Sequence, residues 1–223
     1  MNDRQLTPSE MKTANRIAYS RIVDDWEQVW NEKNEAMHAP CRKLFMKYLT
    51  GSRILDAGCG LGYDSRYFSG HGCSVMATDT VLGFLERIHQ SDPAIQVVAM
   101  DMTTSCFDDA IFDGIYCFAS FLHVPRSLSL PTLKLFRSML KPGGILFLHH
   151  VASRKGFGTY TVSGLLIDDN PAYCVCHDEE EMVDLLGHAG FSRSGIFHES
   201  TRKEPSPTAI RYGLESYQAV AWV

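Results

Sequence analysis

Short apolar runs alternate with amphipathic stretches along most of the chain. Ile54-Leu55, Ser74–Thr78, Gln96–Met100, Phe112–Phe118 and Ile145–His149 read as buried strands, and Ser192–Phe197 and Glu215–Trp222 as two more. Helical segments separate them: Tyr63–His71, Leu82–His89, Leu133–Leu140 and His177–Leu186, the last stopping at Gly190. Strands that alternate with short helices predict crossover units and a parallel sheet. Ahead of the first strand, Thr7-Pro8-Ser9-Glu10 is a helix start, with a Thr cap, Pro at the first position and Glu three residues on. Tyr19, Ile22, Val23, Trp26 and Trp30 then recur at helical spacing, and His38–Leu49 reads as a second helix. After the fifth strand the pattern is lost. Gly156, Gly158 and Gly164, then Asp168-Asp169-Asn170-Pro171, predict a long loop over 153–170, a length more often functional than idle.

The first strand carries the most information. It ends on Asp56, and Gly58, Gly60 and Gly62 follow at alternate positions before the next helix. Glycine permits a tight turn and a close ligand approach. The N-terminus of the following helix favours negative charge. The stretch therefore predicts a nucleotide-type pocket at the C-terminal edge of a parallel strand. The dinucleotide fingerprint would need a third glycine at position 63, which is Tyr.

The spacing D-x-G-x-G-x-G instead resembles motif I of the class I S-adenosylmethionine (SAM) dependent methyltransferases. Further features follow in that family's order: Asp79 at the end of the second strand, Asp101-Met102 after the third, Lys141-Pro142-Gly143-Gly144 before the fifth, and a Leu-Leu-x-x-Ala-Gly-Phe run ending at Phe191. The resemblance implies a Rossmann-like α/β fold: a seven-stranded, mostly parallel sheet with helices on both faces and strand seven antiparallel at or near one edge. It implies a helical lid or cap over 1–50, a SAM-binding domain over 51–223, and a substrate-covering insertion over 153–176. Asp56 is expected at the ammonium of the SAM amino-acid tail, and Gly58, Cys59 and Gly60 against the tail itself. Asp79 and Thr80 are expected at the ribose, Asp101 and Met102 at the adenine, and Ala119 and Ser120 beside the reacting methyl. Each of Asp79 and Asp101 has a plainer alternative as a cap of the next helix. The run Tyr19-Ser-Arg-Ile-Val-Asp-Asp-Trp26 is similar to the family's lid helix. Tyr19, Trp26 and Trp30, with His150 and Tyr160, are the expected substrate and lid residues; simple packing on the core is the alternative.

Composition narrows the function further. The chain has 223 residues, 45% of them apolar and 21% charged, which suits one α/β domain with a small addition. A net charge of −5 disfavours a dedicated nucleic-acid binder. Seven irregularly spaced cysteines read as reduced thiols of a cytoplasmic protein. Cys174-x-Cys176 has no second pair at zinc-ligand spacing, so no metal is expected. The polar residues 1–10 do not read as a signal peptide, and no apolar run reaches membrane-spanning length. A monomer or homodimer acting on a small molecule is the expected form.

Methyl transfer from a sulfonium needs alignment more than a protein nucleophile, and alignment alone can lower a barrier by about 7–11 kcal/mol. A base is needed only where the acceptor must lose a proton early. His123 and His149 are the candidate bases, with buried structural histidine as the alternative. His149 and His150 are adjacent on a strand and must face opposite sides of the sheet. The leading expectation is thus a SAM-dependent small-molecule methyltransferase that releases S-adenosylhomocysteine. The competing readings are an RNA or protein methyltransferase, and a SAM-binding accessory protein without transfer activity. A NAD-dependent oxidoreductase is disfavoured by Tyr63.

Overall fold

Helices and strands alternate as the hydrophobic pattern predicts in a computed structural model that describes residues 6–25, 32–162, 172–198, 211 and 213–223. The helices are α1 (Pro8–Ser20), α2 (Glu32–Tyr48), α3 (Tyr63–Gly70), α4 (Leu82–Ser91), α5 (Arg126–Met139) and α6 (Glu179–Ala189). The strands are β1 (Arg53–Ala57), β2 (Ser74–Asp79), β3 (Gln96–Ala99), β4 (Phe112–Phe118), β5 (Leu140–Ser153), β6 (Thr159–Val162), β7 (Ala172–Val175), β8 (Arg193–Phe197) and β9 (Leu214–Trp222). Seven of them form one sheet in the order β3-β2-β1-β4-β5-β9-β8. β9 runs antiparallel to both its neighbours, one place in from the edge. This is the expected Rossmann-like sheet.

Alternation along the strands divides the core between two layers of helices. Ile54, Tyr116 and Phe147 pack with Cys41 and Phe45 of α2 and Phe68 of α3. Leu55, Ile115 and Leu148 face the other way, onto Phe136 of α5 and Leu186 of α6. The strand order reverses between β1 and β4, and a crevice opens at such a switch point outside the carboxyl ends of the strands.

Five elements differ from the sequence reading, the first being α2, which starts at Glu32 rather than His38. α1 starts with the expected capping box, Thr7 N–H donating to Glu10 Oε2 at 2.8 Å, but it stops at Ser20 rather than running on toward Trp30. α5 starts at Arg126, seven residues before the predicted Leu133, and contains Pro131. β5 is longer than Ile145–His149, with a register shift near its start. The segment expected as a substrate-covering insertion over 153–176 contains a two-stranded antiparallel ribbon, β6 with β7. Trp26, Trp30 and residues 163–171 lie outside the described residues. Among the described residues no helix is long and apolar enough to cross a membrane. All seven cysteines are free thiols.

Candidate functional site

The backbone after β1 is folded back on β2: Gly58 and Cys59 N–H groups both donate to the Thr78 carbonyl, at 2.8 and 3.0 Å. Gly58 has φ +76°, and a Cβ there would stand 2.4 Å from Ser120 Cβ, so this position requires glycine. Ser120 is itself fixed, its Oγ donating to the Ala57 carbonyl at 2.7 Å. Asp79 braces the loop from the side. Its carboxylate accepts from Gly60 N–H at 3.0 Å and from Val81 N–H at 2.9 Å. Burial raises the Asp79 pKa, and the amides of Val81, Gly60 and Thr80 draw it back. The capping and ligand readings of Asp79 are therefore compatible, because one carboxylate does the bracing while facing the cavity. Ala119, where β4 ends, has φ +48°, a conformation that costs an L residue roughly 1–2 kcal/mol.

A cavity of about 460 Å³ opens over these groups. Asp56, Gly58, Cys59, Gly60, Asp79, Thr80, Asp101, Met102, Ala119 and Ser120 all line it, as do Tyr19 and His123. Its roof is α1. Lys12 Nζ sits 2.9 Å from Asp101 Oδ2 and 3.1 Å from Thr103 Oγ1. Burial alone would raise the Asp101 pKa, but the bonds from Lys12 and Thr103 outweigh it and hold the carboxyl below its usual range. Tyr19 Oη lies 2.9 Å from His123 Nε2. Burial pushes the His123 pKa down to about 4 and the Tyr19 pKa up.

The floor carries a charged network that the sequence did not reveal. Asp64, in the first turn of α3, binds His38 Nδ1 at 2.8 Å and Arg42 Nε at 2.5 Å. Arg42 also reaches Glu35 at 2.8 Å. His38 lines the cavity and stacks on Phe118 at 3.8 Å. Asp56, 2% exposed, accepts from Ser65 Oγ at 2.5 Å. Its pKa is raised, first by burial and then by the nearby Asp64 charge. Glu35, His38 and Arg42 all lie on α2, but Asp64 is 22 to 26 residues away on α3, so only the packing of α2 against α3 brings it to Arg42 and His38. Arg42→Met leaves Asp64 buried with one partner fewer. The expected loss of stability is about 3–5 kcal/mol, readable as a lowered denaturant midpoint at unchanged slope.

Three named residues do not reach the cavity wall. His149 stacks on Phe118, centroids 4.3 Å apart, on the α2–α3 side of the sheet. His150 faces the opposite side, where its Nε2 meets His177 Nδ1 at 2.9 Å, away from the cavity. Tyr160 is buried with Leu122, Val151, Cys174 and Cys176 in a small core beneath the ribbon. Strand alternation separates the two histidines, and the ribbon turns Tyr160 inward. Among the described residues no three His, Cys, Asp or Glu side chains are grouped to hold a metal ion.

A family model described as a methyltransferase domain matches residues 54–144, from β1 through the turn in β5. The Ubiquinone biosynthesis O-methyltransferase of Xylella fastidiosa (strain M23) is 33% identical over 178 residues, covering 72% of this chain and 70% of that protein. The chain belongs to the SAM-dependent methyltransferase family. Phosphoethanolamine N-methyltransferase 1 of Zea mays is 30% identical over 193 residues, 82% of this chain, and the chain spans only 36% of that relative's length. In fold, the 1,6-didemethyltoxoflavin-N1-methyltransferase of Burkholderia thailandensis, solved with S-adenosylhomocysteine, superposes with a TM-score of 0.70. That match is 20% identical and covers 100% of this chain and 92% of the other.

Proposed function

We propose that this protein transfers a methyl group from SAM to a small-molecule acceptor. The observation that carries the reading is that Asp56, the Gly58–Gly60 loop, Asp79, and Asp101 with Met102 converge on one cavity from three strand ends. The donor set fits SAM part by part. A loop with glycine at 58 and 60 suits the amino-acid tail, and the buried Asp56 suits its ammonium. Asp79 suits the ribose diol, and Asp101 beside Met102 suits the adenine. His38, held by Asp64 at the glycine-loop end, suits the tail carboxylate. The cofactor would supply an activated methyl on a sulfonium. The chain's own part is to orient and to exclude water. α1 roofs the cavity, and Ala119 ends β4 where an acceptor would approach.

The Tyr19–His123 pair suits the acceptor side. His123 is neutral near pH 7 and accepts a hydrogen bond from the Tyr19 hydroxyl, so the Tyr19 oxygen can in turn accept one from an acceptor hydroxyl or amine and orient its lone pair toward the methyl. Two relatives carry names that refer to small molecules, one to phosphoethanolamine and one to ubiquinone biosynthesis, which supports the small-molecule class. The reading extends to a cytoplasmic protein, on the seven free thiols, acting as a monomer or homodimer without nucleic acid.

Equilibrium binding tests the reading. SAM and S-adenosylhomocysteine are expected to bind at micromolar levels and NAD not to bind. NAD binding without SAM binding would refute the proposal. SAM binding without label transfer to phenol, amine or carboxylate acceptors would favour an accessory protein.

A further inference from the structure

We infer that Asn15 is a positioning residue that sets which nitrogen of His123 carries the proton, and so which way the Tyr19–His123 pair is polarised. The functional meaning of this inference rests on the proposed methyl transfer; its geometry does not.

Asn15 sits on α1, 6% exposed, against the outer edge of β7. Its side-chain amide pairs with both backbone groups of one residue. Oδ1 accepts from Tyr173 N–H at 2.7 Å, and Nδ2 donates to the Tyr173 carbonyl at 3.0 Å. A neighbouring strand would make the same two bonds, so Asn15 satisfies the edge groups of Tyr173 as a strand would. The residues are 158 positions apart, and this contact joins the roof of the cavity to the ribbon.

The Tyr173 carbonyl has a second partner, His123 Nδ1, at 3.0 Å. A carbonyl can only accept, so Nδ1 carries the proton. A neutral imidazole has one N–H, which leaves Nε2 as the acceptor for the Tyr19 hydroxyl at 2.9 Å. Asn15 Nδ2 and His123 Nδ1 stand 3.5 Å apart, two donors converging on one oxygen. Asn15 thus holds in place the oxygen that selects the tautomer. Tyr19 follows Asn15 by one helical turn, so the contact that anchors α1 also brings the phenol to Nε2. The other group near Nδ1 is Cys174 Sγ at 3.7 Å, a far weaker acceptor. Without Asn15, the carbonyl loses its brace and the ring its preference.

The test is long-range proton–nitrogen NMR of the His123 ring at pH 7 in the full chain, with S-adenosylhomocysteine affinity measured alongside. Wild type is expected to show a single Nδ1–H tautomer. Asn15→Leu is expected to show a mixture of both. Asn15→Asp keeps the acceptor for Tyr173 N–H and places negative charge beside His123, so the ring is expected to become doubly protonated. This second variant serves if Asn15→Leu does not fold. An Nε2–H tautomer in wild type would overturn the inference, as would variants whose His123 signals match wild type. A tenfold or greater loss of affinity with an unchanged tautomer would also overturn it, by making Asn15 a strut of the roof alone. Failure of S-adenosylhomocysteine to bind wild type would instead count against the cofactor reading, and the NMR result would still judge Asn15.

Discussion

Asp79→Ala is expected to weaken S-adenosylhomocysteine binding on the order of 100-fold or more, because each charged hydrogen bond lost to the ribose diol is worth about 1.5–3 kcal/mol. A second effect accompanies it. The same carboxylate accepts from Gly60 and Val81 N–H groups, and Val81 is 3% exposed. Leaving that buried amide without an acceptor costs about 1–3 kcal/mol of stability. Calorimetric titration and thermal unfolding separate the two. Unchanged affinity with lowered stability would show that Asp79 only braces the glycine loop. Asp79→Asn is expected to fall between, since an amide oxygen can satisfy one of the two backbone donors while its NH₂ group faces the other.

The braced loop also explains why much of the site was legible in the sequence. In a parallel sheet the carboxyl ends of the strands lie along one edge, so a residue's place after a strand determines its place at the pocket. Asp56, Asp79, Asp101 and Ala119 each follow or end an apolar strand, and all four line one cavity. Strand periodicity likewise separates His149 from His150.

What was not legible depends on contacts between distant segments. Asn15, Lys12 and His38 sit on helices whose amphipathic pattern gives a buried face but no partner. Nothing near Asn15 in sequence points to Tyr173, nor near His38 to Asp64. The end of α1 at Ser20 carries no Gly or Pro signal, and Tyr19, Ile22 and Val23 keep helical spacing across the break. Pro131 gives no sign of the helix around it. A proline normally opens a helix, yet α5 carries it in its second turn because its packed face, with Leu133, Phe136 and Met139, outweighs the lost hydrogen bond. The ribbon was hidden because glycines at 156 and 158 mark a turn equally well before a loop or a strand.

The other large effect is expected on the far side of the sheet, as a loss of stability on acidification. His150 and His177 are buried at 0% and 1% exposure, bonded to each other, and His177 Nε2 meets Ser129 Oγ at 3.1 Å. Burial pushes the His177 pKa down to about 4, and burial with the His177 charge pushes His150 down as well. Both are therefore neutral in the fold at a pH where the unfolded chain has already bound protons. The unfolded state binds more protons between its own pKa near 6.5 and the folded value, so stability falls as pH falls through that window. The shift at His177 alone corresponds to about 3 kcal/mol. Asp56 and Asp79 oppose this, since their raised pKa values stabilise the fold toward acid, but they set two protons against the three of His150, His177 and the similarly depressed His123. Replacing both members of the pair, His150→Leu with His177→Leu, removes two of these sites without orphaning one by the other. The double variant is expected to lose about half or more of the acid slope in denaturant midpoints measured between pH 7 and 4.5. An unchanged slope would locate the acid sensitivity elsewhere, at His123 and the roof of the cavity.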